Sequence, residues 1–208
     1  MLKLPLLTFL NGPPGCGKST LMRLIQEDMD GAICPMSFKS PARSALLACH
    51  YPHLTMTLPP NLEDPTILAR PIDGAGITHG EWLESFTKWL KGKVGKDALG
   101  NILRRDFIFL ESSWPKFLVD DLGTEDDARP LVGAVGGSEH TLIIHLRRHG
   151  CEFKDDSSTL VYGQYLGHHI GIDNNAKPED MLDRLRGMVG DTQSSSHPIE
   201  GFTRPLRR

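Results

Sequence analysis

Residues 9–24 read FLNGPPGCGKSTLMRL: an apolar run, a glycine-rich turn, a lysine, two hydroxyls and the start of an amphipathic stretch. From Gly12 to Ser19 the segment fits the pattern GxxxxGK[ST] at every fixed position. Such a loop cradles a phosphate only if a strand delivers the chain into it and a helix carries the chain away. Successive backbone N–H groups from Gly15 to Ser19 then point into one concavity. Gly12, Gly15 and Gly17 stand where the chain needs positive φ or where a side chain would collide with a phosphate. The helix beginning near Lys18 adds its N-terminal dipole. Lys18 can reach β/γ oxygens, Ser19 can ligate Mg²⁺, and Cys16 and Thr20 complete the expected nucleotide-binding wrap.

The flanking sequence supplies the required context. Leu4 to Leu10 is continuously apolar, as in a parallel strand covered on both faces. It is read as that strand rather than as a signal-peptide core, since it runs straight into the glycine loop. Leu21, Met22, Leu24 and Ile25 then share a helical face as far as Gly31. Further on, SPARSALLACHY carries Ser40 as an expected N-cap with Pro41 at the first helical position. Residues 52–77 hold five prolines and two glycines and are expected to be a functional loop. THGEWLESFTKWLKG opens with the capping-box pair Thr78 and Glu81, and Trp82, Leu83, Phe86, Trp89 and Leu90 follow on one side. A short helix is expected near Lys96–Arg104. After it come a strand at KFLVDD, a helix at TEDDARPLVGAV, strands at HTLIIHL and HHIGID, and a helix at KPEDMLDRLRGMV.

Strand–loop–helix units in this order predict an α/β fold of three layers, with a central parallel sheet sandwiched by helices. Residues 1–190 are expected to form one domain, with a polar tail at 191–208 whose RPLRR end is a solvated run. In such a sheet the working crevice lies at the carboxyl ends of the strands. The loop at 12–19, the acids at 120–121 and the IDNN turn therefore share a rim.

Composition removes several alternatives. The 208-residue chain is 39% hydrophobic, enough for a sizeable core. Its net charge of −3 argues against a general grip on nucleic acid. No stretch approaches the ~18 apolar residues of a membrane span. Four widely spaced cysteines without a CxxC pair, one of them in the glycine loop, read as reduced thiols of a cytoplasmic protein. The nine histidines are read as strand and surface residues rather than as zinc ligands.

Beyond the loop, of Asp120 and Asp121 one is expected to be functional, and Asp121 is assigned to Mg²⁺ and to the acceptor. Arg147, Arg148 and Lys154 follow a strand exit where guanidinium groups could close over a triphosphate. Lys39 and Arg43 flank the second helix and could take a second phosphate. Asn174 and Asn175 could contact a base or make a turn.

With these parts placed, the chain resembles the bacteriophage-type deoxynucleoside monophosphate kinases, a branch of the P-loop nucleoside monophosphate kinases. The resemblance runs from about residue 5 to 190 through NGPPGCGKST, SFKSPARSALLACHY, GKDALGNILRRDF, FLVDDLGTEDDARPL, HTLIIHLRRHG and HHIGIDNNAKPEDMLDRL. It implies a P-loop kinase fold with a helical acceptor-binding insertion at about 32–105 and a lid at about 147–167. It also implies ATP and Mg²⁺ as cofactors and a nucleoside monophosphate as substrate, in the host cytoplasm for a phage-encoded protein, with a homodimer compatible with it. Arg148 matches the family's arginine at the strand exit and is favoured over Arg147 as the residue closing on the transferring phosphate. The chain departs from the pattern at Leu122-Gly123, where the family carries an arginine. THGEWLESF lacks the arginine of the corresponding helix, and CEFKDDSSTLVYG lacks the histidine-glutamate lid pattern. Acceptor contacts are thus expected from other residues. A kinase of another small phosphorylated acceptor, or a nucleotide-binding regulator with little turnover, is the alternative.

Overall fold

The computed structural model describes residues 2–50, 64–153, 159–175 and 177–194. Five parallel strands form one sheet in the order β2-β3-β1-β4-β5: β1 (Leu7–Asn11), β2 (Cys34–Met36), β3 (Phe117–Val119), β4 (Thr141–Arg147) and β5 (His168–Asp173). The helices are α1 (Lys18–Asp28), α2 (Ser40–His50), α3 (Pro65–Leu68), α4 (His79–Val94), α5 (Ala98–Leu110), α6 (Glu125–Ala134) and α7 (Pro178–Ser194). The expected three-layer fold is present. Strand β1 pairs with β3 on one side and β4 on the other, so its carboxyl end opens between them.

Period-two alternation sorts the strand residues between two cores. Leu7, Phe9, Phe117, Val119 and Ile143 meet Leu99, Leu103 and Phe107 of α5 and Ala128, Leu131 and Val132 of α6. Leu10, Leu118, Ile144, Leu146 and Ile172 meet Leu21 and Ile25 of α1 and Met181 and Leu185 of α7. Both faces are covered, which is why the strands read as apolar runs rather than as alternating ones. A third, smaller cluster of Ala42, Leu46, Ile72 and Leu83 joins α2 to α4 away from the sheet. Within the stretch 32–105, then, only the segment around α2–α4 stands apart. Strand β2 belongs to the sheet and α5 to the main core.

Strand β2 was not expected from sequence. Among the described residues it pairs only with β3, and Pro35 sits in it because an edge strand needs no donor on its outer side. The capping box of α4 forms as expected: Thr78 Oγ1 accepts from Glu81 N at 3.2 Å and Glu81 Oε2 accepts from Thr78 N at 2.8 Å. The start of α2 differs. Ser40 is its first residue, and the cap comes from Asp121, far along the chain. At the other end of the chain α7 continues to Ser194, so residues 191–194 are helical rather than part of a tail. Among the described residues no helix is long and apolar enough to cross a membrane.

Candidate phosphoryl-transfer site

The loop leaves β1 at Asn11 and enters α1 at Lys18, with Gly15 at φ 78° and Gly17 at φ 102°. These are left-handed values that favour glycine. At Gly12 the demand is spatial: a Cβ there would lie 2.6 Å from the Leu146 carbonyl oxygen and 2.7 Å from Cys16 Sγ. The loop has P-loop geometry. Cys16 is fully buried beneath it, and burial raises its thiol pKa. Lys18 folds back so that Nζ donates to the carbonyls of Gly12 at 2.6 Å and Pro13 at 2.9 Å. Burial lowers its pKa, with the neighbouring Cys16 opposing the shift. Ser19 is exposed, and Thr20 follows it, half-buried, in the first turn of α1.

Asn174, expected at the nucleotide, is buried and donates its amide to the Cys16 carbonyl at 2.8 Å. That engagement corrects its role: it braces the loop from β5 instead of reaching a ligand. The two arginines diverge, as adjacent residues at a strand exit do. Arg148 Nη1 lies 3.4 Å from the Gly15 carbonyl oxygen and donates to it, whereas Arg147 Nη2 donates to Tyr162 Oη at 3.2 Å. Lys154 lies outside the described residues.

A cleft of about 500 Å³ runs from the loop to the α2–α4 region. Pro14, Lys18 and Ser19 line one end, Lys39, Arg43 and Leu83 the other, and Asp120 and Asp121 the floor after β3. Thus Lys18, Ser19, Lys39, Arg43 and Asp121 do come together. Asp121, however, is engaged. Its Oδ1 accepts from Phe38 N at 2.8 Å, and its Oδ2 accepts from Ser37 Oγ at 2.8 Å and Lys39 N at 3.2 Å. Three of the roughly four acceptor positions of the carboxylate are filled. The assignment of Asp121 to Mg²⁺ is therefore corrected. It caps α2, where an anion is favoured, and it sets the position of Lys39. Asp120 lines the same cleft.

Two ion pairs also border the cleft, and sequence reasoning missed both. Lys88 meets Glu84 at 2.5 Å within α4, and Lys91 meets Asp127 at 2.7 Å, tying α4 to α6. Asp127 is 2% exposed, and burial raises its pKa despite the hydrogen bonds from Lys91 and Thr124. These pairs neutralise one another. Lys18, Lys39, Arg43, Asp120 and Asp121 line the same cleft.

Behind the loop, Asn11 Nδ2 donates to the carbonyls of Leu122 at 2.8 Å and Thr159 at 2.9 Å. Its Oδ1 accepts from Val161 N at 3.1 Å and faces His145 Nδ1 at 3.1 Å. Burial, followed by the proximity of His169 and Arg147, lowers the His145 pKa to about 4. The folded chain therefore binds fewer protons than the unfolded one between the ordinary value of 6.5 and about 4. The contribution of His145 to stability is complete above pH 6.5 and is lost as pH falls through 4. Thermal midpoints measured down this window should fall more steeply for the native chain than for His145→Gln, which separates this proton from the carboxylates titrating nearby. Parallel curves would contradict the assignment.

No protein-family model matches the sequence, and no curated protein does. Among solved structures the chain overlaps a sugar kinase from Janibacter sp. HTCC2649, at 14% identity, 92% of this chain, 98% of that one and a TM-score of 0.42. It also overlaps the dephospho-CoA kinase from Campylobacter jejuni, at 13% identity, 90% and 97% coverage and a TM-score of 0.43.

Proposed function

We propose that this protein is a P-loop kinase that transfers the γ-phosphoryl group of ATP to a nucleoside monophosphate, with a deoxynucleotide as the preferred acceptor. One observation carries the reading: a single cleft joins Lys18 and Ser19 to a second cationic pair, Lys39 and Arg43, with carboxylates between them. A nucleotide sensor needs the first group alone; direct transfer needs both, in line.

In this mechanism the loop amides and Lys18 hold the donor phosphates. Lys18 exchanges its bonds to Gly12 and Pro13 for phosphate oxygens, which suits an ammonium already half-desolvated. The hydroxyl of Ser19 and the carboxylate of Asp120 are hard oxygen donors of the kind Mg²⁺ takes while keeping most of its waters. Bound there, Mg²⁺ would neutralise charge on the β- and γ-phosphates. Lys39 and Arg43 hold the acceptor phosphate, and Arg148 reaches over the loop from the exit of β4. An oxygen of the acceptor phosphate forms the new bond to the γ-phosphorus as the bond to the β–γ bridging oxygen breaks. With a second phosphate pKa near 6, that nucleophile is already ionised at neutral pH, and no side chain need remove a proton.

An adenosine and a deoxynucleoside joined by five phosphates tests the two-site geometry. Its second half binds at high effective concentration, so it should bind far more tightly than ATP. At ~100 times its Kd it should stabilise the fold by roughly 2.7 kcal/mol, read as a rise in thermal midpoint. Lys39→Ala with Arg43→Ala should remove that advantage and leave ATP binding intact. An analogue no tighter than ATP, whatever its base, would contradict a facing acceptor site.

A further inference from the structure

We infer that Asn11, His145 and His169 are positioning residues that form a latch. It holds the arm at residues 159–163 against the base of the nucleotide loop and shares one hydrogen bond between arm and loop. The proposal stands apart from the identity of the acceptor.

Four groups lie end to end across β1, β4 and β5. Asn11 Oδ1 faces His145 Nδ1 at 3.1 Å, His145 Nε2 faces His169 Nδ1 at 2.9 Å, and His169 Nε2 faces the Gly163 carbonyl at 3.1 Å. The Asn11 amide cannot be turned around, because its Nδ2 already serves two carbonyls and its Oδ1 accepts from Val161 N. Both ends of the histidine pair therefore meet an oxygen that only accepts. Three contacts call for three ring protons, and two neutral imidazoles carry two.

The surroundings keep a second proton off His145. His145 is 3% exposed. From its own strand it is faced by Arg147, and from the arm by Tyr162, whose ring stacks on it at a centroid distance of 5.0 Å. On β5, His169 lies edge to edge with it, the ring planes 10° apart and the centroids 5.2 Å apart, and Asp173 stands opposite Arg147 in the ladder. Strand β1 contributes the neutral Asn11. Burial beside a guanidinium and a second imidazole disfavours an imidazolium.

With both rings neutral, two arrangements keep a proton in the 2.9 Å ring–ring contact. With both protons on Nε2, His169 holds Gly163 and the Asn11–His145 contact lacks a proton. With both on Nδ1, His145 holds Asn11 and Gly163 is released. Asn11 immediately precedes Gly12, so the arm and the loop compete for the same bond. Whatever tightens the loop at Asn11 loosens the arm at Gly163, and the reverse holds equally.

Two substitutions at the half-buried edge position separate the states. His169→Gln keeps a donor that cannot change tautomer, so Gly163 stays held while the amide oxygen accepts from His145 Nε2. His169→Ala removes the hold. Amide hydrogen exchange of the ligand-free full chain should then be slowest over 159–163 in His169→Gln, intermediate in the native chain, and about fivefold faster than native in His169→Ala, the worth of one net hydrogen bond. Long-range ¹H–¹⁵N spectra of the native chain near neutral pH should show both His145 tautomers, collapsing to the Nε2–H form in His169→Gln. Equal exchange in all three chains would overturn the latch, as would a native His145 ring fixed in one tautomer or doubly protonated. The native ring spectrum decides the question even if one variant fails to fold, and none of these readings uses turnover, so they hold or fail independently of the kinase assignment.

Discussion

Lys18→Ala is expected to lower turnover by about a thousandfold, at the upper end of what removing one preorganised donor costs. The size follows from placement. Lys18 is the cation at the donor end of the cleft, and it sits where burial already weakens its hold on a proton. An ammonium in that setting interacts with developing phosphate charge far more strongly than one in water. Stability should change much less. Truncation leaves the Gly12 and Pro13 carbonyls without their donor, at about 1–2 kcal/mol, but it also removes a charge that was costly to bury. The control is a thermal melt on the same preparation. Near-native turnover in a folded variant would remove Lys18 from the mechanism.

The second large effect divides the adjacent acids by function. Asp120→Asn should reduce turnover by about a hundredfold or more, the loss appearing in kcat and eased by raised Mg²⁺. Asp121→Asn should do the opposite. It weakens charge-assisted hydrogen bonds to Phe38 N, Lys39 N and Ser37 Oγ, each ordinarily worth about 1.5–3 kcal/mol. A loss of about 2–4 kcal/mol in a urea titration is expected, with a raised KM for the acceptor because Lys39 is no longer fixed. If Asp121→Asn is stable and shows the altered Mg²⁺ dependence, the two roles are reversed.

How much of this was legible in the sequence depended on how local the cause was. The turn of the glycine-rich loop could be placed to the residue, since Gly12, Gly15 and Gly17 answer to backbone geometry within eight positions. The capping box at Thr78 and Glu81 was equally legible. Strand β2 was not: three residues with a proline in the middle look like a turn until an edge position excuses the missing donor. The cap of α2 was hidden for the opposite reason, because its anion lies 83 residues from the amide it serves. The sequence offered a good local candidate in Ser40, so Asp121 was assigned to a metal when it holds a helix. Asn174 misled in the same way, its amide serving a carbonyl 158 positions away. The histidine pair carried no signal at all. His145 and His169 sit in separate apolar strands, and only the sheet brings them to 2.9 Å.

The departures from the family pattern gain a physical reading. The resemblance led to arginines that this chain lacks, and the α2–α4 side of the cleft presents lysines in their place. Lys88 and Lys91 are paired with Glu84 and Asp127, and Lys39 and Arg43 line the same cleft.

The claim that this cleft passes a phosphoryl group from one nucleotide to another is tested most directly by acceptor-dependent turnover. The full chain is incubated with Mg-ATP and each of the twelve common ribo- and deoxynucleoside monophosphates in turn, and ADP release is followed. ADP should appear rapidly with one acceptor or a small set, deoxynucleotides foremost, together with the matching diphosphate in equal amount. ADP release that is absent, or equal with and without every acceptor, would contradict the account.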